Sequence, residues 1–593
     1  MGLAQNKSQK RLKVINNKGS KEDQDQTQTT TSSLQNDVST SSLHNDVEKS
    51  ETNLSEATTV TLCDLTDLSE IDALPSFEKS TLKFKQNDIV SAFDEINSFS
   101  GGRMNAKITN ALIYMITVDH LPLSFTERKG FQYFKKVALP LYKAPGRSTI
   151  TRQVDEKYTV LSSKIKDKFK LVDNFCLTTD AWTDSLNNRS FLGLTVHYLQ
   201  ETELKSITIG VFLLENKHTY DYIGTALLHC CHEWNISKDK ITAVITDNAG
   251  NMVKAVHEFF GSKKHLPCFV HTTNLIVTNS LKDVNNIISS VKAIVTFFKT
   301  SHDAAQKLRT YQIQNGKTEG SCLKLIQDIS TRWNSTYYML KRFLELAPLI
   351  SIILFDNQNI KMIDQENIAI LKELILVLAP FEAMTVEMSG QNYVTSSKVI
   401  PIVHCLKLTL DKVEVSTNVV KQILNKLKEE VARFYSDNSS VEKNNLLSVS
   451  SILDPRFKRI HFENPLADTA AVARIKVLID EHKKNDSVSV SPRNYDKNQE
   501  KLTDMTSTGL NLWAVHDKLS IKQNEGVCNN SGIPSELKNY LNQTLSSRTE
   551  DPIKFWTSVI KNRLLAEAQV LTPAAKVCSI LIDEMAIKVY KQN

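Results

Sequence analysis

Several features that would define the class of this chain are scarce or missing. The 593 residues include 9 cysteines without a disulfide-like spacing, so we expect a reduced intracellular protein rather than a disulfide framework. The N-terminal stretch is polar, which gives no sign of a secretory signal. No apolar run is long enough to span a bilayer, so a membrane protein is not predicted.

The overall composition is that of a globular protein with more than one core. Hydrophobic residues make up 41% and charged residues 23% of the chain, both ordinary for globular proteins. At this length we expect about two to four domains, because single cores stop growing well below 593 residues. The net charge of +6 permits a polyanionic partner without requiring one.

The first 75 residues are predicted to be a disordered polar tail. Ser, Thr, Gln, Asn and Asp dominate them, which leaves too little apolar surface to offset the entropy of ordering. The tail also carries a loose basic cluster that is either a nuclear address, a nonspecific DNA contact or an ordinary solvated segment. This cluster consists of Lys7, Lys10, Arg11, Lys13 and Lys18.

Periodicity divides the rest of the chain into α/β and all-α regions. Strands are predicted at 175–180, 190–199, 205–214 and 241–246, with a helix at 220–234 and another, capped by Asn248, that runs to Phe260. This order is similar to that of ribonuclease H, in which the first and fourth strands lie side by side.

The predicted domains are a tail over 1–75, a small helical domain over 76–172, the first part of a core over 173–282, a helical domain over 283–545 with prolines as punctuation and a polar linker near 485–535, and a last segment over 546–593.

Two aspartates are predicted at the tips of neighbouring strands. Asp180 stands in LTTDAWTD (177–184) and Asp247 in ITDNAGNM (245–252). Carboxylate oxygens are the ligands that Mg²⁺ prefers, and two such ions can clamp the attacking and leaving oxygens of a phosphodiester. Taken alone, an aspartate at the end of a strand is more often part of a turn or a helix cap.

The order of several motifs resembles a known family. The sequence is similar to hAT-superfamily DNA transposases, and especially to transposon-derived BED-zinc-finger-type proteins, over about 130–556. The stretches that carry this resemblance are GFQYF…PLYKAPGRSTI (130–150), LTTDAWTD, ITDNAGNM, LPCFVHTTNL (266–275), DISTRWNSTYYML (328–340), LAPFEAMTVEMSG…SSKVIPIV (378–403), SILDPRFK (451–458) and DPIKFW (551–556).

The resemblance implies a fold and a chemistry. The fold is an RNase H-like core interrupted by a large helical insertion, and the chemistry is a D-D-E site that cuts and joins DNA with Mg²⁺ or Mn²⁺. Asp180 and Asp247 match the first two carboxylates. The other matching positions are the CxxH pair Cys268 and His271 and the RW pair Arg332 and Trp333.

The roles of these other positions have plain structural alternatives. We interpret Cys268 and His271 as a structural pair, since a zinc site needs three or four ligands. Trp333 is either a base-stacking residue, as the resemblance implies, or a core tryptophan. Arg147, within a Lys- and Arg-rich helical stretch, is a candidate phosphate contact or part of a solvated face.

Two departures from the family pattern bear on function. Before residue 176 only Cys63, His44 and His120 are available, so no BED zinc finger is predicted. In the C-terminal block that normally carries the third carboxylate, PAAKVCS (573–579) places Ala575 at that position. Alanine offers no oxygen to a metal, so we expect strand transfer to be lost or crippled, and dimerisation through this block is in doubt.

Three functions therefore stay open. The first is a nuclear, transposase-derived DNA- or protein-binding module with an inactive site, possible homo-oligomers and no membrane association. The second is an active transposase in which another carboxylate, such as Glu567 or Glu584, completes the site. The third is a decayed copy without function.

Overall fold

A computed structural model describes residues 103–562, apart from 185–186, 201–202, 330, 356–359, 391–392, 436–440, 484–511 and 524–533. The predicted disordered tail and Ala575 lie outside these residues. The fold is mixed α/β and mostly helical, with one five-stranded sheet. No helix in the described ranges is both long and apolar enough to cross a membrane. The chain divides into two compact units at Lys164/Ile165.

The described part of the first unit is helical. Its helices are α1 (Arg103–Val118), α2 (Lys129–Ala138) and α3 (Arg147–Lys170), the last of which continues past the boundary between the units. The small core consists of Leu112, Ile113, Ile116 and Ile150, with Phe125 and Phe131 packed against it. Helix α1 ends at Val118, four residues before Pro122.

The second unit contains the sheet. Its strands are β1 (Phe175–Asp184), β2 (Arg189–Gln200), β3 (Glu203–Leu214), β4 (Ile241–Thr246) and β5 (His265–Pro267). Their order is β3-β2-β1-β4-β5, with β1, β2 and β3 antiparallel and the pairs β1–β4 and β4–β5 parallel. The strands predicted along the chain are confirmed, and so is the adjacency of the first and fourth. The three-residue β5 was missed because it is too short to show a period.

Two helices cover one face of the sheet. Helices α4 (Tyr220–Glu233) and α5 (Gly250–Phe259) share a core with Phe175, Leu177 and Val244. They approach closely at Gly224, where an added Cβ would lie 2.3 Å from the Phe259 ring. The predicted Asn248 cap of α5 is wrong. Ala249 stands at the N-cap, because the Asn248 amide donates instead to Thr272 Oγ1 at 3.0 Å.

A second and larger apolar core is built from helices that follow β5. It joins residues from across 269–515, which shows that the predicted helical region is continuous with the helix after β5. These helices are α6 (Phe269–Ser280), α7 (Asn285–Thr300), α8 (His302–Gln314), α9 (Trp333–Leu354), α10 (Gln365–Met388), α11 (Val399–Leu410) and α12 (Asn418–Tyr435).

Helices α7 and α8 are separate, because Ser301 takes an extended conformation and its hydroxyl caps α8 by accepting from Ala304 N. The expectation that prolines punctuate this region fails in α10. Pro380 does not interrupt α10 but lies buried inside it.

A third core lies toward the end of the described chain. It includes Ile452, Ile475, Leu537 and Trp556. Its helices are α13 (Asn445–Leu453), α14 (Pro465–Lys483), α16 (Ser535–Asn542) and α17 (Pro552–Asn562), while α15 (Ala514–Gln523) follows Trp513 of the larger core. Helix α15 corrects the expectation of a linker over all of 485–535, since Leu512, Trp513 and Val515 are buried.

Candidate functional site

Asp180 lies at the place where β1 leaves β4. The parallel pairing of β1 with β4 ends at Thr178 opposite Ile245, whereas β1 stays paired with β2 as far as Asp184 opposite Arg189. Asp180 is therefore inside β1 rather than at its tip, because the long β2 partner extends the strand. Alternation of side chains puts Asp180 on the same face as Cys176 and Thr178.

Asp247 follows β4 directly. Continuing the β1–β4 register by two residues brings Asp247 opposite Asp180. Burial raises the pKa of Asp247, opposed by a hydrogen bond from Ala249 N and by nearby His271, while the charge of Asp180 raises it further. The two carboxylates and the imidazole are thus close enough to interact electrostatically.

The first turn of α6 is fastened to the end of β4. Cys268 N donates to Thr246 O at 2.8 Å. The Cys268 thiol is buried and accepts from His271 N at 3.3 Å, so it acts as the N-cap of α6. The His271 side chain is close enough to Asp247 to lower its pKa. In the structure, the CxxH pair caps α6 and places an imidazole next to the acidic pair.

A buried polar chain on the same face was missed by sequence reasoning. The ring of His197, which is 0% exposed, lies 2.9 Å from both Thr178 Oγ1 and Ser206 Oγ. Burial lowers its pKa to about 3, so the imidazole stays neutral and donates one of these bonds while accepting the other. Thr178 precedes Asp180 by two residues and is thereby held in place. The signal in the sequence was a histidine amid the apolar residues of SFLGLTVHYL.

The described part of the site does not form a complete metal centre. Within the residues that the structure describes, no group of three or more His, Cys, Asp or Glu side chains is placed to hold a metal ion. Two carboxylates and one imidazole do not fit a two-metal site, which needs bridging and terminal oxygen ligands for each ion.

Removal of the Asp180 charge is expected to lower the pKa of Asp247. The Asp180→Asn substitution deletes a nearby like charge that contributes to the raised pKa of Asp247. NMR titration of selectively ¹³C-labelled aspartate carboxyl groups measures this shift. Asp184→Asn is the matched control, because Asp184 lies about 13 Å further along β1 at the usual rise of a strand. An unchanged Asp247 in Asp180→Asn would contradict the pairing.

The remaining candidate residues lie elsewhere. Trp333 begins α9 with 4% of its surface exposed, and its ring packs edge-on against Tyr337 and Phe381. Its backbone N donates to Asn274 Oδ1 at 2.9 Å, which links α9 to α6. Arg332 is half-buried at the N-cap of α9, and Arg147 is exposed at the start of α3. Their DNA-binding roles stay predictions, and stacking of a base on Trp333 would require this ring to become exposed.

A mixed sheet with this strand order and two facing carboxylates belongs to the class of RNase-like domains. Two family models support this class. The model described as the ZBED1 RNase-like domain matches residues 178–269, and the model described as the ZBED1 RNase-like helical domain matches residues 266–373.

Individual relatives point to the same group. Zinc finger BED domain-containing protein 4 from Homo sapiens is 26% identical over 486 residues, covering 79% of this chain and 40% of the relative. The Putative AC transposase from Zea mays is 27% identical over 369 residues, covering 59% of this chain and 44% of the relative. The Transposable element Hobo transposase from Drosophila melanogaster is 27% identical over 208 residues, covering 34% and 30%.

These matches confirm the resemblance noted in the sequence. The chain is similar to hAT-type transposases and to the transposase-derived BED zinc finger proteins. It spans less than half of the length of each of these three relatives.

Proposed function

We propose that this chain is a nuclear DNA- or protein-binding module built on a D-D-E site that has lost its third carboxylate. In this proposal an RNase H-like core is interrupted by the helical domain. The observation that carries the proposal is the facing pair Asp180 and Asp247, two carboxylates close enough to interact, in a chain whose counterpart of the third ligand is Ala575.

Transposase relatives support DNA as the first partner to test. A protein that neutralises about 6–10 phosphates loses roughly 10³–10⁵ in affinity between 50 and 200 mM salt, because counterions are released on binding. Fluorescence anisotropy with a labelled duplex over this salt range measures the effect. If the affinity for the duplex does not depend on salt, or if no binding is detected, the module is left with binding of a protein partner as its function.

The lost carboxylate is tested by restoring it. We expect the wild-type full chain to leave pre-nicked and intact duplexes uncut in Mg²⁺ or Mn²⁺, and Ala575→Glu to gain cleavage. The double variant Asp180→Asn/Ala575→Glu is the matched control, since a gain that depends on the D-D-E site disappears when its first carboxylate is removed. A gain confined to Ala575→Glu would mean that only the third ligand is missing.

The second candidate is an active hAT-type transposase. It is favoured by the retention of both Asp180 and Asp247 in facing positions. Cleavage by wild type that vanishes in Asp180→Asn would establish this candidate and overturn the inactive site, because another carboxylate would then complete the centre. Nuclear residence is tested separately by imaging a fluorescent fusion, with and without the basic residues of 7–18.

A further inference from the structure

Helix α2 presents large apolar side chains to solvent. None of its residues is fully buried. Tyr133, Phe134 and Val137 are exposed by 72%, 59% and 67%, and Leu141 just beyond the helix by 95%. Only Phe131 points to the small core, where its ring lies 5.1 Å from that of Phe125. Apolar surface concentrated in this way marks an interaction site.

The exposed side chains form one strip with a basic border. On a helix with 3.6 residues per turn, Tyr133, Phe134 and Val137 fall on adjoining positions of one face. Lys129 and Lys136 lie together along one edge of this strip, four residues before and three after Tyr133, and both are exposed. We call this surface the α2 strip.

The surroundings of the α2 strip are strongly basic. Residues 103–164 contain 11 Lys and Arg against 4 Asp and Glu. The acid nearest to the helix, Glu127, is already engaged, since its Oε1 accepts from Arg147 N at 2.7 Å. A partner for this surface should therefore combine apolar side chains with negative charge.

One segment of the same chain has this combination. Residues 62–74, LCDLTDLSEIDAL, place Leu or Ile at every third position and four acids between them, namely Asp64, Asp67, Glu70 and Asp72. The surrounding stretch 50–78 contains no Lys or Arg and seven Asp and Glu. The segment lies outside the described residues.

We propose that residues 62–74 bind the α2 strip in the same chain, with Leu and Ile side chains on the apolar surface and acids beside Lys129 and Lys136. The distance along the chain permits this contact. Between Leu74 and the start of α1 lie 28 residues, which span up to about 90 Å when extended. Such a tether gives an effective concentration of about millimolar, so a weak contact suffices. The bound segment covers the two lysines and withholds them from polyanions.

The test is proteolysis of the full chain by a Glu-specific protease. Cleavage after Glu70 and Glu78 reports release of the segment, and cleavage after Glu22 reports general susceptibility. Tyr133→Ser/Phe134→Ser/Val137→Ser is expected to speed cleavage after Glu70 by about fivefold or more, because proteolysis follows the open population. Met104→Ser, another exposed apolar residue of this unit at 69%, is the matched control.

Charge reversal provides an independent arm that leaves the apolar strip intact. Lys129→Glu/Lys136→Glu is expected to speed the same cleavage, and adding Asp64→Lys/Asp67→Lys to return it toward the wild-type rate, as a double-mutant cycle requires of contacting pairs. Unchanged cleavage in the strip variant overturns the proposal. The proposal is also overturned if light scattering shows that the wild type is a dimer and the strip variant a monomer, because the strip then binds a second copy of the chain. Weakened duplex binding with unchanged cleavage assigns it to DNA.

Discussion

Asp454→Ala is expected to reduce the free energy of unfolding by about 3–5 kcal/mol, because it leaves a buried guanidinium without its counter-ion. The side chains of Asp454 and Arg456 are 2% and 5% exposed and 2.7 Å apart. The Asp454 carboxylate also accepts from Ser397 Oγ at 2.6 Å and from Arg456 Nε at 2.9 Å. Burial opposes the positive charge of Arg456, but Asp454 outweighs it and raises the pKa of the guanidinium.

Chemical denaturation of the full chain, followed by tryptophan fluorescence, measures this loss. Trp556 is a suitable probe, since its indole N–H donates to Leu453 O at 2.9 Å, next to Asp454. The control is Asp167→Ala, which removes an ion pair with Lys170 whose members are 66% and 65% exposed. Such a pair is worth at most about 1 kcal/mol. A loss in Asp454→Ala no larger than in Asp167→Ala would show that the buried pair does not stabilise this core.

The replacement of both charges separates a stabilising pair from a costly one. Asp454→Leu/Arg456→Met removes the buried charges together, and such swaps are often neutral or stabilising. We expect the double variant to be more stable than Asp454→Ala. If Asp454→Ala and the double variant lose equal free energy of unfolding, the contact between Asp454 and Ser397 contributes more to stability than neutralisation of Arg456 does. This contact holds the residues before α11.

The same region shows what sequence reasoning can and cannot reach. SILDPRFK was recognisable as a motif, but the roles of its residues depend on partners far along the chain. Ser397 is 57 residues from Asp454, and Tyr540, whose carbonyl accepts from Lys458 Nζ at 2.7 Å, is 82 residues from Lys458. Hydrophobic periodicity predicts the local element and its buried face. It therefore does not predict contacts between residues that lie this far apart in the sequence.

The sheet was more accessible for the same reason. Each of β1 to β4 carries its own apolar pattern, and the order of elements restricts how they pair. This is why Asp180 and Asp247 could be placed together in advance. The His197 chain and the approach of His271 to Asp247 could not, because they depend on which helix covers which face. Trp333 was ambiguous since a stacking ring and a core ring have the same sequence signature.

A chain of three histidines is expected to make the fold sensitive to acid. His404 Nδ1 lies 3.0 Å from His461 Nδ1, and His461 Nε2 lies 2.9 Å from His516 Nδ1. Three neutral imidazoles satisfy both contacts, because each has one N–H donor and one acceptor. A proton added to the central ring turns its acceptor nitrogen into a donor, so the neighbouring ring must change tautomer to keep the contact, and a positive charge enters a buried site. The chain joins α11 to α15, so its loss loosens α15 first.

The direction of the pH effect follows from the lowered pKa values. Burial lowers the pKa of His516 from 6.5 to about 4. Burial also holds the pKa of His461 well below its usual value, with a contribution from the neighbouring histidines. Burial also lowers the pKa of His404, partly offset by Glu463. As pH falls below 6.5 the unfolded chain takes up protons before the folded one, so stability is lost down to about pH 4. For His516 alone the loss is about 3 kcal/mol at 1.36 kcal/mol per unit.

His516→Asn separates this chain from other titrating groups. Asparagine does not titrate and its amide can still donate to His461, so the variant is expected to lose stability less steeply between pH 6.5 and 4. The control is His302→Asn, at an exposed position of α8. Protons have access, since His404 lines a cavity of about 290 Å³ with Lys407 and Glu463. Urea unfolding at several pH values measures how steeply the free energy of unfolding changes with pH. If His516→Asn and wild type have equal slopes, acid sensitivity resides in other buried groups, of which His197 is the first to test because burial lowers its pKa to about 3.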